Sequence, residues 1–282
     1  MMSPSPATVL RKAGTVLDAL GIHERLRASR LYDLYWSRAA PELAARTRRE
    51  QEFYRRLLPQ LRKGDTIFDV GANVGQKTAA FLRLGARVIA VEPDARCRRV
   101  LAEKFLRWRL RPRPVSIVHA AVGRAPGRAT MWVDAPGSAL NTLSPKWAQA
   151  LREDGARAGG EFEFAAHREV AVTTIDDLAS EFGLPRFLKI DVEGFEEEVL
   201  LGMRRPVPLL SFEVNLPEFL PEGLRCIGIL ESLAPAGSFN LTGDCSRGFD
   251  LPVWARAADA AIALSACRDH STEIFWRAPE GP

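Results

Sequence analysis

The sequence predicts an α/β fold built on a mostly parallel sheet, and three observations carry that prediction. Thr66–Asp94 reads as strand, glycine turn, helix and strand, which is one βαβ unit. A second strand–turn–helix unit follows at Phe187–Leu201. Further strand-type runs at Val115–Val118, Pro208–Val214, Ser238–Thr242 and Glu273–Arg277 are spaced by helical stretches, the pattern of successive βα units.

The first unit opens with Thr66-Ile67-Phe68-Asp69-Val70, β-branched and aromatic residues that suit a buried strand. Gly71-Ala72-Asn73-Val74-Gly75 supplies a tight turn in which bare backbone approaches a ligand. Gln76–Leu84 has helical spacing and stops at Gly85. Arg87–Val91 is the second strand, closed by Glu92-Pro93. Amides at the helix start favour an anionic group. Glu92, at a strand end, is placed to accept from ribose hydroxyls. The spacing is not G-x-G-x-x-G, so a nucleoside without a pyrophosphate fits better than a dinucleotide. S-adenosylmethionine has those parts, with Asp69 for its ammonium and the loop amides for its carboxylate. The nucleoside site is assigned to Asp69, Gly71, Ala72, Asn73, Gly75, Thr78, Glu92, Pro93 and Ala121.

In chain order, Val9–Leu20 and His23–Trp36 read as two helices, and Pro41 starts a third that runs toward Leu58. Residues 1–62 are expected to form a helical extension, and residues 63–282 one domain with an insert at 124–170. Asp94 caps a helix through Arg107. His119, after the third strand, is better read as a satisfied strand-end histidine than as a base. Within the insert, Arg128–Val133 and Glu169–Thr174 have strand composition, with a long loop between them whose tip is Asp154–Gly160. A helix capped by a Thr or Asp follows Thr173-Thr174. If the strand from Phe187 stays extended, a period of two puts Lys189, Asp191 and Glu193 on one side. Gly194 then breaks it before an acidic helix start. Acids at the carboxyl end of a parallel strand stand where open sheets bind ligands. Asp191 or Glu193 is therefore the candidate base, and Lys189 the group that holds a carboxylate or substrate oxygen. Glu213 and Asn215, at the next strand's end, are pocket candidates. Residues 243–270 have no assigned place.

A chain of 282 residues, 46% hydrophobic and 26% charged, buries a sizeable core and is neither disordered nor membrane-spanning in composition. The first twenty residues lack a continuous apolar segment, so a cytoplasmic protein is expected. Cys97, Cys226, Cys245 and Cys267 are scattered, and most of them read as buried free thiols. No metal site is assigned, with a divalent ion at Asp191 and Glu193 left open as an alternative that two carboxylates alone support only weakly. Residues 1–64 carry +7 and the remainder −3, which reads as a solvated helical face more readily than as an anion-binding arm.

FDVGANVGQKT with VIAVEPD, followed by TTIDDL and FLKIDVEGFEEEVLLG, resembles the FkbM-type family of S-adenosylmethionine-dependent methyltransferases over about residues 52–215. The resemblance implies a class I methyltransferase (Rossmann-like) fold: a mostly parallel seven-stranded sheet with an antiparallel edge strand, plus N-terminal helices that often cover the cofactor cleft. It implies S-adenosyl-L-methionine as methyl donor and O-methylation of a hydroxyl on a sugar, glycan or secondary metabolite. Ser138–Leu143 resembles the family's polar segment near the reacting groups, which makes Asn141 a substrate candidate. A small-molecule or glycan acceptor is the expected partner, with no membrane span. The competing readings are N-methylation, RNA methylation through the basic arm, and a nucleoside-binding partner protein without catalysis. No RNA-binding signature supports the second, and the intact Asp69, Gly71, Gly75 and Glu92 set opposes the third.

Overall fold

The computed structural model describes residues 41–106, 115–155 and 160–279. The helices expected at Val9–Leu20 and His23–Trp36 lie outside the described residues. Helix α1 (Pro41–Leu57) begins on a proline, whose fixed φ suits a first turn. Then come β1 (Thr66–Val70), α2 (Gln76–Arg83), β2 (Arg87–Val91), α3 (Ala95–Lys104), β3 (Val115–Val118) and the insert. Asp94 caps α3 by accepting from the Arg96 and Cys97 amides. The described helix stops at Lys104, short of Arg107, which lies outside the described residues.

After the insert the alternation resumes with α5 (Ile175–Phe182), β7 (Phe187–Ile190), α6 (Glu196–Leu201) and β8 (Leu209–Asn215). The chain closes with α7 (Leu220–Leu233), β9 (Ser238–Thr242), α8 (Ala257–Ala266) and β10 (Ser271–Arg277). The seven-stranded sheet has the order β3-β2-β1-β7-β8-β10-β9. β1 pairs in parallel with β2 and β7, and β7 in parallel with β8. β10 runs antiparallel to both its neighbours, so the reversed strand lies one place in from the edge and β9 holds the edge itself.

Each face of the sheet carries helices. On one face α1, α2 and α3 bury Tyr54, Phe81 and Leu101 against Ile67, Val88 and Phe275. Aromatic edges meet there, with Tyr54–Phe81 centroids 5.1 Å apart and Phe53–Phe249 5.0 Å apart. The other face packs α5 to α8 through Leu178, Val199, Ile227 and Leu264. Residues 243–270, unplaced by sequence, supply α8 to that core and carry Phe249 and Trp254 round to α1.

The insert builds most of a second sheet of β4 (Ala121–Val122), β6 (Ala166–Thr173) and β5 (Gly127–Val133), in that order, with β4 lying just before it. The stretch expected as a long loop holds a helix, α4 (Pro145–Glu153). Ser144 caps it and Pro145 opens it, while Trp147, Ala148 and Leu151 enter the main core. Its tip lies partly outside the described residues. No helix among the described residues is long and apolar enough to cross a membrane.

Candidate active site

A cleft opens at the carboxyl ends of β1, β2 and β7, lined by Gly71, Asn73, Glu92, Pro93, Ala121, Asn141, Asp191 and Glu193 among others. Two of its walls depend on the glycine turn. Gly71 has φ +81°, and a Cβ there would lie 1.7 Å from the Asp191 carbonyl oxygen. Gly75 has φ +75°, and its Cβ would meet Phe105 at 2.5 Å. The turn is thus glycine-bearing because it packs against the next strand's backbone and against α3.

Glu92 is buried and held from both sides. Its Oε2 accepts from the Asn73 amide and its Oε1 from the Asp94 amide, each at 2.7 Å. Burial pushes its pKa up to about 7, against the pull of those two amides. Each oxygen keeps a further lone pair for a ligand hydroxyl. Val91, Ala121, Val122 and Met131 make the neighbouring wall apolar, as a flat base requires. Asp69 and Thr78 lie beneath the turn instead, with the Thr78 hydroxyl donating to the Asp69 carboxylate. Burial raises Asp69 to about 6. Neither these two nor Ala72 and Gly75 are lining residues of the cleft.

At the other end of the cleft the chain leaves β7 and turns sharply. The strand ends at Ile190 and Glu193 has φ +55°, so the extended period of two does not reach that residue. The turn is held by Glu196, whose Oε1 accepts from the Val192 and Gly194 amides at 3.0 and 3.4 Å. The insert holds it as well. Thr142 Oγ1 donates to the Glu193 carbonyl at 2.6 Å, and Trp147 Nε1 donates to Glu193 Oε2 at 3.0 Å.

This turn brings Glu193 to Glu213, the inward-facing residue near the end of β8. Carboxylate oxygens of Asp191, Glu193 and Glu213 all lie within 4.8 Å of one another. Such spacing suits a shared proton or a divalent cation. Burial raises Glu193 well above the usual carboxylate range, with Asp191 and Glu213 adding to it. Burial together with Asp191 lifts Glu213 to about 8. Asp191 keeps 31% of its side chain exposed, so burial opposes its charge only in part. Lys189, whose Nζ is 3.1 Å from Asp191 Oδ2, holds it below the ordinary value. Lys189 is buried on β7, and burial works against its charge. Asp191, and Glu273 at 3.7 Å, nevertheless raise it well above the usual lysine range. Ser211, Cys245 and Tyr54 donate to Glu273 in turn.

Lys189, Asp191, Glu193 and Glu213 are therefore brought together. Asn141 lines the cleft on the Glu92 side, where its amide donates to Asp94 and to the Ala135 carbonyl. Asn215 does not line this cleft, and its buried Nδ2 has no hydrogen-bond partner among the described residues. Cys97, Cys226 and Cys245 are buried, and Cys267 is half-buried. Trp147, Glu196 and Glu273 had no site role in the sequence reading, and Thr142 entered it only as part of the Ser138–Leu143 segment. Only the Ser144-Pro145 cap ahead of an apolar face signalled that Trp147 would point inward.

The model of the FkbM methyltransferase domain matches residues 69–225, more than half of the chain. The chain belongs to the FkbM methyltransferase family. A ribosomal RNA small subunit methyltransferase A from Sphingopyxis alaskensis is 58% identical over 40 residues, which span 14% of this chain and 15% of that protein. Among solved structures, the precorrin-6y C5,15-methyltransferase of Geobacter metallireducens is 11% identical, with 78% of this chain and 84% of that one covered and a TM-score of 0.35. The plantazolicin methyltransferase BpumL, solved with SAH, is 10% identical over 96% of this chain and 100% of that one, with a TM-score of 0.36. These overlaps are loose, and the family assignment rests on residues 69–225. As an FkbM-domain methyltransferase the protein has the class I sheet order, with its reversed strand between β8 and β9.

Proposed function

We propose that this methyltransferase uses S-adenosylmethionine to O-methylate a hydroxyl of a sugar, glycan or related secondary metabolite. The observation that carries the reading is the convergence of Asp191, Glu193 and Glu213 at one end of a cleft whose other end is Glu92. S-adenosylmethionine, when bound, supplies an electrophilic methyl carbon on a sulfonium sulfur. Glu92 would accept from the ribose hydroxyls, the backbone at Gly71 and Asn73 would border the methionine end, and Ala121 would border the base. Asp191, ionised beside Lys189, faces the region between the two ends. As the acceptor oxygen bonds to the methyl carbon and the carbon–sulfur bond breaks, the hydroxyl proton passes to Asp191 and into the acidic cluster. The product nucleoside is the thioether, and charge is conserved. Most of the rate is expected from alignment of the oxygen with the carbon–sulfur axis. The cluster titrates as a unit, so no single pKa belongs to the base.

The test is binding followed by transfer. Calorimetry should show S-adenosylmethionine and S-adenosylhomocysteine binding, with no response to NAD. Label from the methyl group should then enter a component of a cell extract. Binding of NAD with neither methionine nucleoside bound would overturn the reading. Label held by a primary or secondary amine would replace O-methylation by N-methylation.

A further inference from the structure

A second cavity of about 180 Å³ lies beside the cleft, on the α1 face of the sheet, and Asp191 lines both. Its roof is α1, through Arg46 and Glu50, and α2 through Lys77. Its floor is Lys189, Glu213 and Glu273, with Ser271 and the 242–245 segment as the far wall. Resting on the methyltransferase reading above, we infer that this chamber holds the acceptor, and that the acceptor is an uncharged or amine-bearing, hydroxyl-rich ring. By this inference α1 and the 242–245 segment decide which acceptor is used.

Three properties of the chamber carry the inference. Among the described residues no aliphatic or aromatic side chain lines it. An apolar macrocycle or a phenol would strip water from the lining groups without pairing them, a loss of about 1–3 kcal/mol for each. A polyol ring returns a donor or acceptor to each. With Glu213 keeping its proton, the carboxylates of Glu50, Asp191, Asp244 and Glu273 outnumber the cations Arg46, Lys77 and Lys189 by one, so an acceptor carboxylate or phosphate meets net negative charge beside Asp191. A neutral ring does not, and a protonated amine is attracted. The rim of the chamber is also closed by ion pairs. Arg46 reaches Asp244 at 3.4 Å with 59% of its side chain exposed, and Lys77 pairs with Glu50. A rim pair as exposed as the first contributes little to stability, so that edge opens readily for an acceptor to enter.

The experiment uses the purified full chain, labelled S-adenosylmethionine and an extract of the cells that make the protein. Labelled products are separated by charge and by extraction into organic solvent. Label in the neutral or cationic water-soluble fraction is expected. Label in the anionic or organic fraction would overturn the chamber while leaving the methyltransferase standing. No label in any fraction, with no S-adenosylmethionine bound, would remove both. Ser271→Trp, which fills the chamber, should keep affinity for S-adenosylhomocysteine and lose transfer by about a hundredfold, as a misplaced acceptor does. Transfer at the wild-type rate in that variant would overturn the proposal. Arg46→Ala touches no core residue, and it guards against a folding defect in the first variant. It should raise the KM for the labelled extract fraction about three- to tenfold, the loss of one charged hydrogen bond, with kcat and nucleoside affinity unchanged. An unchanged KM would place the acceptor elsewhere.

Discussion

At Glu92 each carboxylate oxygen receives a backbone N–H, whereas at Asp191, Glu193 and Glu213 the carboxyl groups face one another, with a buried lysine paired to Asp191. Both ends of the cleft bury acids, and burial raises the pKa of Glu92, Glu193 and Glu213 alike. The surroundings make the difference. Amides fixed by the turn hold one carboxylate in place, which suits a group that must receive two hydroxyls repeatedly in one geometry. Carboxyls held by other carboxyls can exchange a proton at little cost, which suits a group that must take one.

The sharpest way to break this comparison is at Asp191. Asp191→Asn keeps the shape and removes the charge paired with Lys189. Turnover is expected to fall about a hundredfold or more, with affinity for S-adenosylhomocysteine little changed. Wild-type turnover would make the cluster structural, and a loss confined to nucleoside binding would make both ends one kind of site.

The opposite outcome is expected at Glu92. Glu92→Ala gives up two hydrogen bonds to a charged acceptor, about 1.5–3 kcal/mol each, so titration with S-adenosylhomocysteine should show affinity at least ~10-fold weaker. Once saturated, the variant should turn over close to normally. Unchanged affinity would remove Glu92 from the nucleoside site.

The smallest effect sharpens the comparison through pH. In the folded chain Glu213 keeps its proton up to about pH 8, while the ordinary value is 4.5. Between those limits the folded state binds more protons than the unfolded one, so stability due to this group falls as pH rises. Glu213→Gln lacks that loss. Melting temperatures measured from pH 5 to 9 should decline less in the variant, by a few degrees. Parallel declines would show that Glu213 ionises in the fold without penalty.

Much of the fold was legible because its signals are local. Thr66–Val70 and Arg87–Val91 have the bounds that β-branched runs and flanking glycines imply, and Asp94 and Thr174 cap the helices that their side chains announce. The insert's helix was missed because Gly- and charge-rich neighbours hid three apolar residues at positions 147, 148 and 151. Helix α8 was missed as well, although its alanine-rich run, AADAAIALSA, has strong helix propensity. The candidate site was legible only within each element. Lys189 and Asp191 announce themselves at a strand end, but the approach of Glu193 to Glu213 depends on a positive φ and on the β7–β8 register. Neither is written in the residues themselves. The chamber under α1 joins residues about two hundred positions apart, such as Arg46 and Asp244, which no spacing rule connects.

The missing side chain at Gly71 works as a ruler. Because its backbone rests on the carbonyl of Asp191, the gap between the donor end of the cleft and the proton-accepting end is set by two main chains in contact. Side-chain changes in the acceptor wall leave that gap alone. If the chamber holds the acceptor, an engineer could redraw its exposed rim at Arg46 and Asp244 for new acceptors, while any residue larger than glycine at position 71 would move both ends of the cleft at once.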